Sequence, residues 1–378
     1  MQNYRRTLRR ATILGDVEKF WDTLDKLHSV RFGADLSVKS IESFTESPFG
    51  SELNAELFLN VALGHVRLVQ LLLSVGNVHA NTIHEGVPIL VQAARHGREK
   101  IVNLLLETFH SVVIMNKRDS GNRSPLWWAA ERGHLGVVRI LMTYDILKCN
   151  EVDSMFQQTP ICRAAAKGYY EITKMLLQSD RVDPNFKTTC GMSPLLAATA
   201  GGHERVVKLL LDSKRVQVDL GDRFRRTALG KACASGNIEI AELLVRAGAD
   251  SDAADTQMTP LLRAAHARHY DIVHMLLALG KPSDANRSKL FITAARHNEP
   301  GIIRQLLSQS GKSIDKVVKE KALLQAAKSG FHAIVYSLLA DADVDLSCTD
   351  VNGHTPKALA EKQDHWDIAR ILQDSMGT

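Results

Sequence analysis

The chain is organised around a stretch that reads Ser124-Pro-Leu-Trp-Trp-Ala-Ala-Glu-Arg-Gly-His134. Altered copies follow, including Thr159-Pro-Ile-Cys-Arg-Ala-Ala-Ala-Lys-Gly168 and Ser193-Pro-Leu-Leu-Ala-Ala-Thr-Ala-Gly-Gly-His203. A recurring alanine marks the register, and successive positions lie 30 to 36 residues apart. These positions are Ala93, Ala129, Ala164, Ala198, Ala232, Ala264, Ala294, Ala326 and Ala360. An internal repeat of this length indicates stacked supersecondary units rather than one globular core.

Each repeat predicts a pair of helices. The Ser or Thr caps the first helix, the Pro behind it occupies the first helical position, and Gly ends it. The second helix has apolar residues at helical spacing, as at Val206, Val207 and Leu210. Such a pair cannot bury its apolar face alone, so we expect neighbouring pairs to stack into a continuous core.

These runs resemble the ankyrin repeat family, whose typical run is Thr-Pro-Leu-His-x-Ala-Ala-x-x-Gly-His. The resemblance covers roughly residues 53–378 and implies an all-α ankyrin-repeat solenoid of about ten helix-turn-helix repeats. Residues 53–354 would form the array and residues 355–378 a C-terminal capping repeat. Residues 1–52 read as a degenerate N-terminal capping helix pair plus a long loop at 28–52. That loop is either a surface connection or a binding element that could be phosphorylated at Ser47-Pro48.

Three departures from the family run predict local irregularity. Arg268 and Asn298 stand where the helix-ending glycine is expected, so we expect distorted turns there. The repeat around Ala294 lacks a Thr-Pro start and follows the shortest spacing. It therefore predicts a truncated finger near Lys281–Lys289, where a finger is the loop that precedes a first helix.

Composition bounds the class of protein. The 378 residues are 45% hydrophobic with a formal net charge of +5, which is typical of a well-packed chain with a mild positive excess. The basic N-terminus lacks the apolar stretch of a signal peptide, and charges interrupt every leucine-rich run. The five cysteines include no CxxC pair, which argues against a zinc site or a disulfide framework. We therefore expect a cytoplasmic or nuclear monomer with no cofactor, no metal and no membrane contact.

Histidines and cysteines have structural interpretations. The resemblance implies a hydrogen-bonding role at the turn between helices for the histidines after the glycine, which are His65, His134, His203, His269 and His365. Cys162 and Cys233 fall at core positions of their first helices and read as small hydrophobes.

The resemblance also implies that fingers and first helices line a concave groove. The predicted groove residues in the first half of the chain are Arg95, His96, Arg123, Trp128, Arg132, Arg163 and Lys167. Those in the second half are Arg223, Phe224, Arg226, Lys231, Arg263, His266, Arg296, His297 and Lys328. Positive charge thus faces inward, and Glu131 is the one acid at these first-helix positions. Trp127 is expected in the core, and Trp128 is expected to project into the groove.

These patterns leave three functions open. The first is a protein–protein interaction scaffold or adaptor whose basic groove binds an acidic peptide or protein surface. The second is an enzyme or small-molecule binder with a pocket near Trp128, Glu131 and His96. The third is nonspecific binding of polyanions or nucleic acid, which the absence of a regular aromatic ladder disfavours.

Overall fold

The computed structural model describes residues 2–32, 48–75, 82–109, 112–256, 258–308, 314–341 and 343–376. Regular structure in these ranges is helical apart from one short hairpin, so the predicted all-α repeat fold is confirmed. The chain divides into two compact units, unit 1 (Met1–Ser213) and unit 2 (Lys214–Thr378).

Unit 1 is a series of helix pairs. Its helices are α1 (Gln2–Leu14), α2 (Val17–Phe32), α3 (Pro48–Leu63), α4 (Val66–Val75), α5 (Ile89–Arg95), α6 (Glu99–Phe109), α7 (Val112–Met115), α8 (Pro125–Arg132), α9 (Leu135–Met142), α10 (Pro160–Ala166), α11 (Tyr170–Leu177), α12 (Pro194–Ala200) and α13 (Glu204–Asp212). Strands β1 (Ile83–His84) and β2 (Val87–Pro88) pair antiparallel in the finger before α5. First helices pack on first helices, in the order α5, α8, α10 and α12, and second helices pack on second helices beside them.

Unit 2 repeats the same arrangement. Its helices are α14 (Ala228–Ser235), α15 (Ile238–Arg246), α16 (Pro260–His266), α17 (Tyr270–Leu279), α18 (Asp284–His297), α19 (Pro300–Ser308), α20 (Lys316–Ser329), α21 (His332–Leu339), α22 (Pro356–Lys362) and α23 (Trp366–Met376). The first helices α14, α16, α18, α20 and α22 pack in that order.

The capping residues act as predicted. The Ser124 hydroxyl accepts from the backbone N–H of Trp127, and the Thr159 hydroxyl accepts from that of Cys162. Side-chain caps of the same kind begin α12, α14, α16 and α22. A cap contributes about 1 kcal/mol, so the recurring Ser or Thr sets where each short helix begins.

The recurring alanine is the point of closest packing. All nine register alanines are at most 2% exposed. The histidine after the helix-ending glycine contacts the preceding repeat. His134 Nε2 lies 3.1 Å from the carbonyl oxygen of Arg95, and His203 Nε2 lies 3.0 Å from that of Ala166. These contacts match the structural role predicted for these two histidines.

The two turns without glycine keep the ordinary geometry, so the predicted distortion is wrong. Arg268 has φ +61° and Asn298 has φ +58°, in the left-handed region that Gly133 adopts at +78°. The chain keeps the turn and accepts the steric cost of a side chain there, which is smaller for Asn than for Arg.

The finger predicted to be truncated near Lys281–Lys289 is replaced by helix. Ser283 caps α18, whose 14 residues double the seven of α16. The Asp252 carboxylate stabilises the beginning of α18, because it accepts hydrogen bonds from the backbone N–H of Ser283 and from the side-chain amide of Asn286. The first helix α20 also has 14 residues.

The N-terminal helix pair is present, with Leu8, Ala11 and Phe20 buried. Helix extends further than predicted on both sides of the loop, because α2 continues to Phe32 and α3 begins at Pro48. Residues 33–47, which include Ser47 of the Ser47-Pro48 pair, lie outside the described residues.

Candidate functional site

Two adjacent tryptophans lie at the centre of α8. Trp127 and Trp128 are each 6% exposed, and their rings meet edge to face with centroids 5.3 Å apart. Together with Val91 of α5 they form one buried cluster. Trp127 thus lies in the core as predicted, whereas Trp128 does not project into a groove and the prediction for it is wrong.

Both indole N–H groups have buried partners, as amphipathic aromatics require. Trp127 Nε1 donates to the carbonyl oxygen of Gln158 at 2.8 Å, and Trp128 Nε1 donates to Asp119 Oδ2 at 2.9 Å. Asp119 also accepts from the backbone N–H groups of Gly121 and Arg123 and from Arg123 Nε. The Asp119 carboxylate thus joins the finger to the Trp128 indole. We attribute the burial of this indole to that connection.

Three guanidinium groups surround the same indole. Their central carbons lie 4.4 Å (Arg123), 4.6 Å (Arg95) and 5.5 Å (Arg132) from the ring centroid of Trp128. We call these three residues the arginine cluster; they come from the finger, the end of α5 and the end of α8. Arg123 is ion-paired with Asp119. No carboxylate of the described residues lies within ion-pair distance of Arg95 or Arg132.

His96 lies beside the arginine cluster. Partial burial, and then the positive charges of Arg95, Arg98 and Arg132, lower the pKa of His96 below its ordinary value. The imidazole is therefore mainly neutral near pH 7, and the positive charges at this end of α5 add to the larger effect of burial on its pKa.

Two other predicted cations of unit 1 have an acidic partner. Glu131, whose side chain is 15% exposed, forms ion pairs with Arg163 and with Lys167. Arg163 also donates to Gln158 Oε1 at 2.6 Å and lies over Trp127. Arg163 and Lys167 thus share a single carboxylate, which offsets part of their positive charge.

The predicted cations of unit 2 show the same compensation. Asp222 forms ion pairs with Arg226 and Lys231, and Asp255 forms one with Arg263. On the finger that contains Asp222, Phe224 is 42% exposed. Its ring centroid lies 4.7 Å from the guanidinium carbon of Arg223 and 4.9 Å from that of Arg226.

The remaining predicted residues of unit 2 are more dispersed. The rings of His266 and His297 meet edge to face at 5.8 Å, and burial followed by the charges of His266 and Arg268 lowers the pKa of His297. Arg296 and Lys328 are exposed on α18 and α20.

Sequence reasoning missed the finger carboxylates, although a pattern could have revealed them. An aspartate stands four to six residues before the capping Ser or Thr in five fingers. These residues are Asp119, Asp153, Asp222, Asp255 and Asp350. Each accepts backbone N–H bonds from its own finger, so the acids belong structurally to the same surface as the predicted cations.

Acid is expected to weaken this finger. Burial raises the pKa of Asp119, but bonds from the Arg123 backbone, Trp128 and the Arg123 side chain outweigh it, so the pKa lies below its ordinary value. Ionised Asp119 therefore stabilises the folded chain fully above a pH of about 4 and progressively less as pH falls through the lowered pKa. We expect Asp119→Asn to cost about 1–3 kcal/mol at pH 7 and the difference from wild type to shrink toward pH 3.

Urea unfolding of both proteins at a series of pH values measures this difference. Asp145→Asn, at an exposed aspartate of unit 1, is the matched control and should show no such trend. A difference between wild type and Asp119→Asn that stays constant with pH contradicts the role given to the Asp119 carboxylate.

Comparison with known proteins adds one partial relative. A 51-residue segment, 13% of this chain, is 45% identical to "Acyl-CoA-binding domain-containing protein 2" of Arabidopsis thaliana. The match spans only 14% of the length of that protein. In the described ranges, no helix has both the length and the apolarity needed to cross a membrane.

A family model described as "Ankyrin repeats (3 copies)" matches this chain repeatedly. The matched segments are residues 57–153, 144–222, 161–255, 214–289 and 290–378. Ankyrin repeats are in general protein–protein interaction modules, and the proteins that carry them are typically non-enzymatic scaffolds. Since the matches cover more than half of the sequence, the chain belongs to the ankyrin repeat family.

Proposed function

We propose that this chain is an adaptor that holds an acidic segment of another protein, with the arginine cluster of unit 1 as the anchor. The observation that carries the proposal is the position of Arg95 and Arg132. Both guanidiniums lie over Trp128, and neither has a carboxylate partner among the described residues. By contrast, an acidic side chain lies within ion-pair distance of each of Arg163, Lys167, Arg226, Lys231 and Arg263.

The indole positions these guanidiniums without using their donors. A cation above a ring is attracted to the face of the π system, while the five N–H groups of each arginine point outward in its own plane. Those donors stay available for carboxylate oxygens, with which arginine forms paired hydrogen bonds. The site therefore combines a held cation with free hydrogen-bonding capacity, which favours an acidic partner.

The exposed Phe224 finger of unit 2 supports the same class of partner. Arginine and aromatic side chains are the residue types that most often carry binding energy at interfaces. Arg223 flanks Phe224 on an exposed loop and has no carboxylate within ion-pair distance among the described residues. Within unit 2, this finger presents groups of the same chemistry.

The small-molecule alternative gains no support from the contacts around Trp128. Its candidate acid, Glu131, is held in two ion pairs, and its candidate aromatic, Trp128, is buried beneath the arginine cluster.

The test is binding of defined peptides to the purified full chain. Immobilised libraries of Asp/Glu-rich, Lys/Arg-rich and uncharged peptides are probed with wild type, and the Kd of the best acidic peptide is measured by fluorescence anisotropy. We expect Arg95→Gln/Arg132→Gln to raise that Kd about ten- to hundredfold, the range for losing charged hydrogen bonds. The affinity of the wild type should also fall as salt is added.

Arg139→Gln is the matched control, because Arg139 is an exposed arginine on the second helix α9. Equal affinity of the double variant and wild type contradicts the proposal. Equally tight binding of heparin and random oligonucleotides would instead favour nonspecific polyanion binding.

A further inference from the structure

We infer that the arginine cluster recognises a phosphorylated side chain on the protein partner. This inference rests on the proposed function, since it concerns the same site, and it narrows the acidic group from carboxylate to phosphoryl. Nothing in the family assignment specifies such a group. Charge, geometry and rigidity at Trp128 support it independently.

The charge of the cluster matches a dianion. Among the described residues, the buried carboxylate of Asp119 pairs with Arg123 alone, so the three guanidiniums together retain two positive charges. A phosphorylated side chain carries about −1.5 to −2 charges near neutral pH, whereas an Asp or Glu side chain carries one. A phosphoryl group neutralises the cluster, and a carboxylate leaves part of its charge without a partner.

The geometry favours a group with several oxygens pointing in different directions. Arg95, Arg123 and Arg132 approach one ring from three separate elements, α5, the finger and α8. The two oxygens of a carboxylate lie in one plane and pair well with a single guanidinium. The three terminal oxygens of a phosphoryl group point in different directions and can accept from more than one arginine.

Part of the cluster and the ring beneath it are held in place before any ligand binds. Arg123 is fixed by its Nε bond to Asp119, and Asp119 in turn fixes the Trp128 indole beneath the guanidiniums. The backbone of Arg95 is fixed by His134, which contacts its carbonyl oxygen. Preorganised donors lose little conformational freedom on binding, which raises affinity for the ligand they fit.

Unit 2 provides an internal contrast. There Asp222 takes both Arg226 and Lys231, and Asp255 takes Arg263. In unit 1 the finger acid pairs with Arg123 alone and leaves Arg95 and Arg132 to a ligand. The inference is therefore specific to the Trp128 site.

The main experiment uses three peptide libraries of one design, with degenerate flanks around a central phosphoserine, glutamate or serine. Binding of the full-length chain is measured for wild type, Arg95→Gln/Arg132→Gln and the Arg139→Gln control. We expect at least tenfold tighter binding to phosphoserine than to glutamate, and loss of that preference in the double variant. Lys substitutions at the same two positions should restore affinity only in part, because lysine lacks the planar fork of donors.

A second measurement follows His96 by NMR while phenyl phosphate or benzoate is added. Burial and then the charges of Arg95, Arg98 and Arg132 lower the pKa of His96, so an anion that neutralises these charges should raise that pKa. We expect phenyl phosphate to do so at lower concentration than benzoate. Equal effects of the two fragments would overturn the inference.

The outcomes separate the inference from the proposed function. Equal retention on phosphoserine and glutamate libraries, both lost in the double variant, overturns the inference and leaves the proposed function standing. Binding that is the same in the double variant and wild type overturns both. Binding to phosphoinositide vesicles without binding to phosphopeptides, abolished in the double variant, would assign the phosphoryl group to a lipid and overturn the phosphopeptide assignment.

Discussion

Trp128→Ala is expected to lower the free energy of unfolding of this chain by about 3–5 kcal/mol, the range for truncating a buried large aromatic. The substitution removes the indole that packs against Trp127 and Val91 at 6% exposure. It also leaves the Asp119 carboxylate without its indole donor and the arginine cluster without its platform. A groove-facing side chain, as the sequence alone suggests, would change stability by less than about 0.5 kcal/mol.

Urea unfolding followed by far-ultraviolet circular dichroism measures the effect. Trp366→Ala is the matched control, because Trp366 is 63% exposed at the start of α23. Trp128→Phe separates packing from hydrogen bonding: it keeps an aromatic ring but loses the bond to Asp119, and it should cost less than Trp128→Ala. A Trp128→Ala protein that unfolds at the wild-type urea concentration would show that the indole is not part of the core.

The repeat made the fold predictable to the level of single residues. The Ser or Thr cap, the register alanine and the helix-ending glycine each act through local backbone chemistry, which depends on neighbours in sequence. Thr159, for example, caps α10, and Ala164 is fully buried. Such local rules repeat, so an error in one copy is corrected by the others.

The candidate site was less predictable, because it depends on side chains that meet across repeats. The structure does bring Arg95, Arg123 and Arg132 around the Trp128 indole. The family run could not show that Asp119, nine residues before Trp128, accepts a hydrogen bond from the indole and helps to bury it. Charge counting on helices alone therefore overstated the positive charge of the surface.

Where the sequence departs from the family run, the spacing of the repeats does not predict the local structure. A repeat without Thr-Pro could lose its finger or its helix. Here Ser283 provides a new cap, and residues from Asp284 onward continue as one long first helix. At Arg268 the backbone keeps the left-handed turn without glycine, and the N–H groups of Arg268 and His269 still donate to the carbonyl oxygens of Ala265 and Ala264.

Cys162 and Cys233 are expected to be nearly inert toward alkylation in the folded protein. Burial raises the pKa of each thiol to about 12, against 9.0 for an ordinary thiol, and both side chains are fully buried. The thiolate is the reactive form, so near pH 8 each has roughly a thousandfold less of it than an ordinary thiol. Restricted access slows the reaction further. Cys190 is exposed on a finger and should react readily.

Timed iodoacetamide labelling, read by peptide mass spectrometry, measures each cysteine separately. All three should react at similar rates in urea, which controls for intrinsic differences between the peptides. Rapid labelling of Cys162 in the folded chain would contradict its assignment to the core.

The same assay tests the role of Trp128, because Cys162 lies on α10, which packs directly against α8. Repeats contact only their neighbours, so Trp128→Ala should accelerate labelling of Cys162 much more than that of Cys233. Equal acceleration at both cysteines would mean that the array unfolds as a single cooperative body.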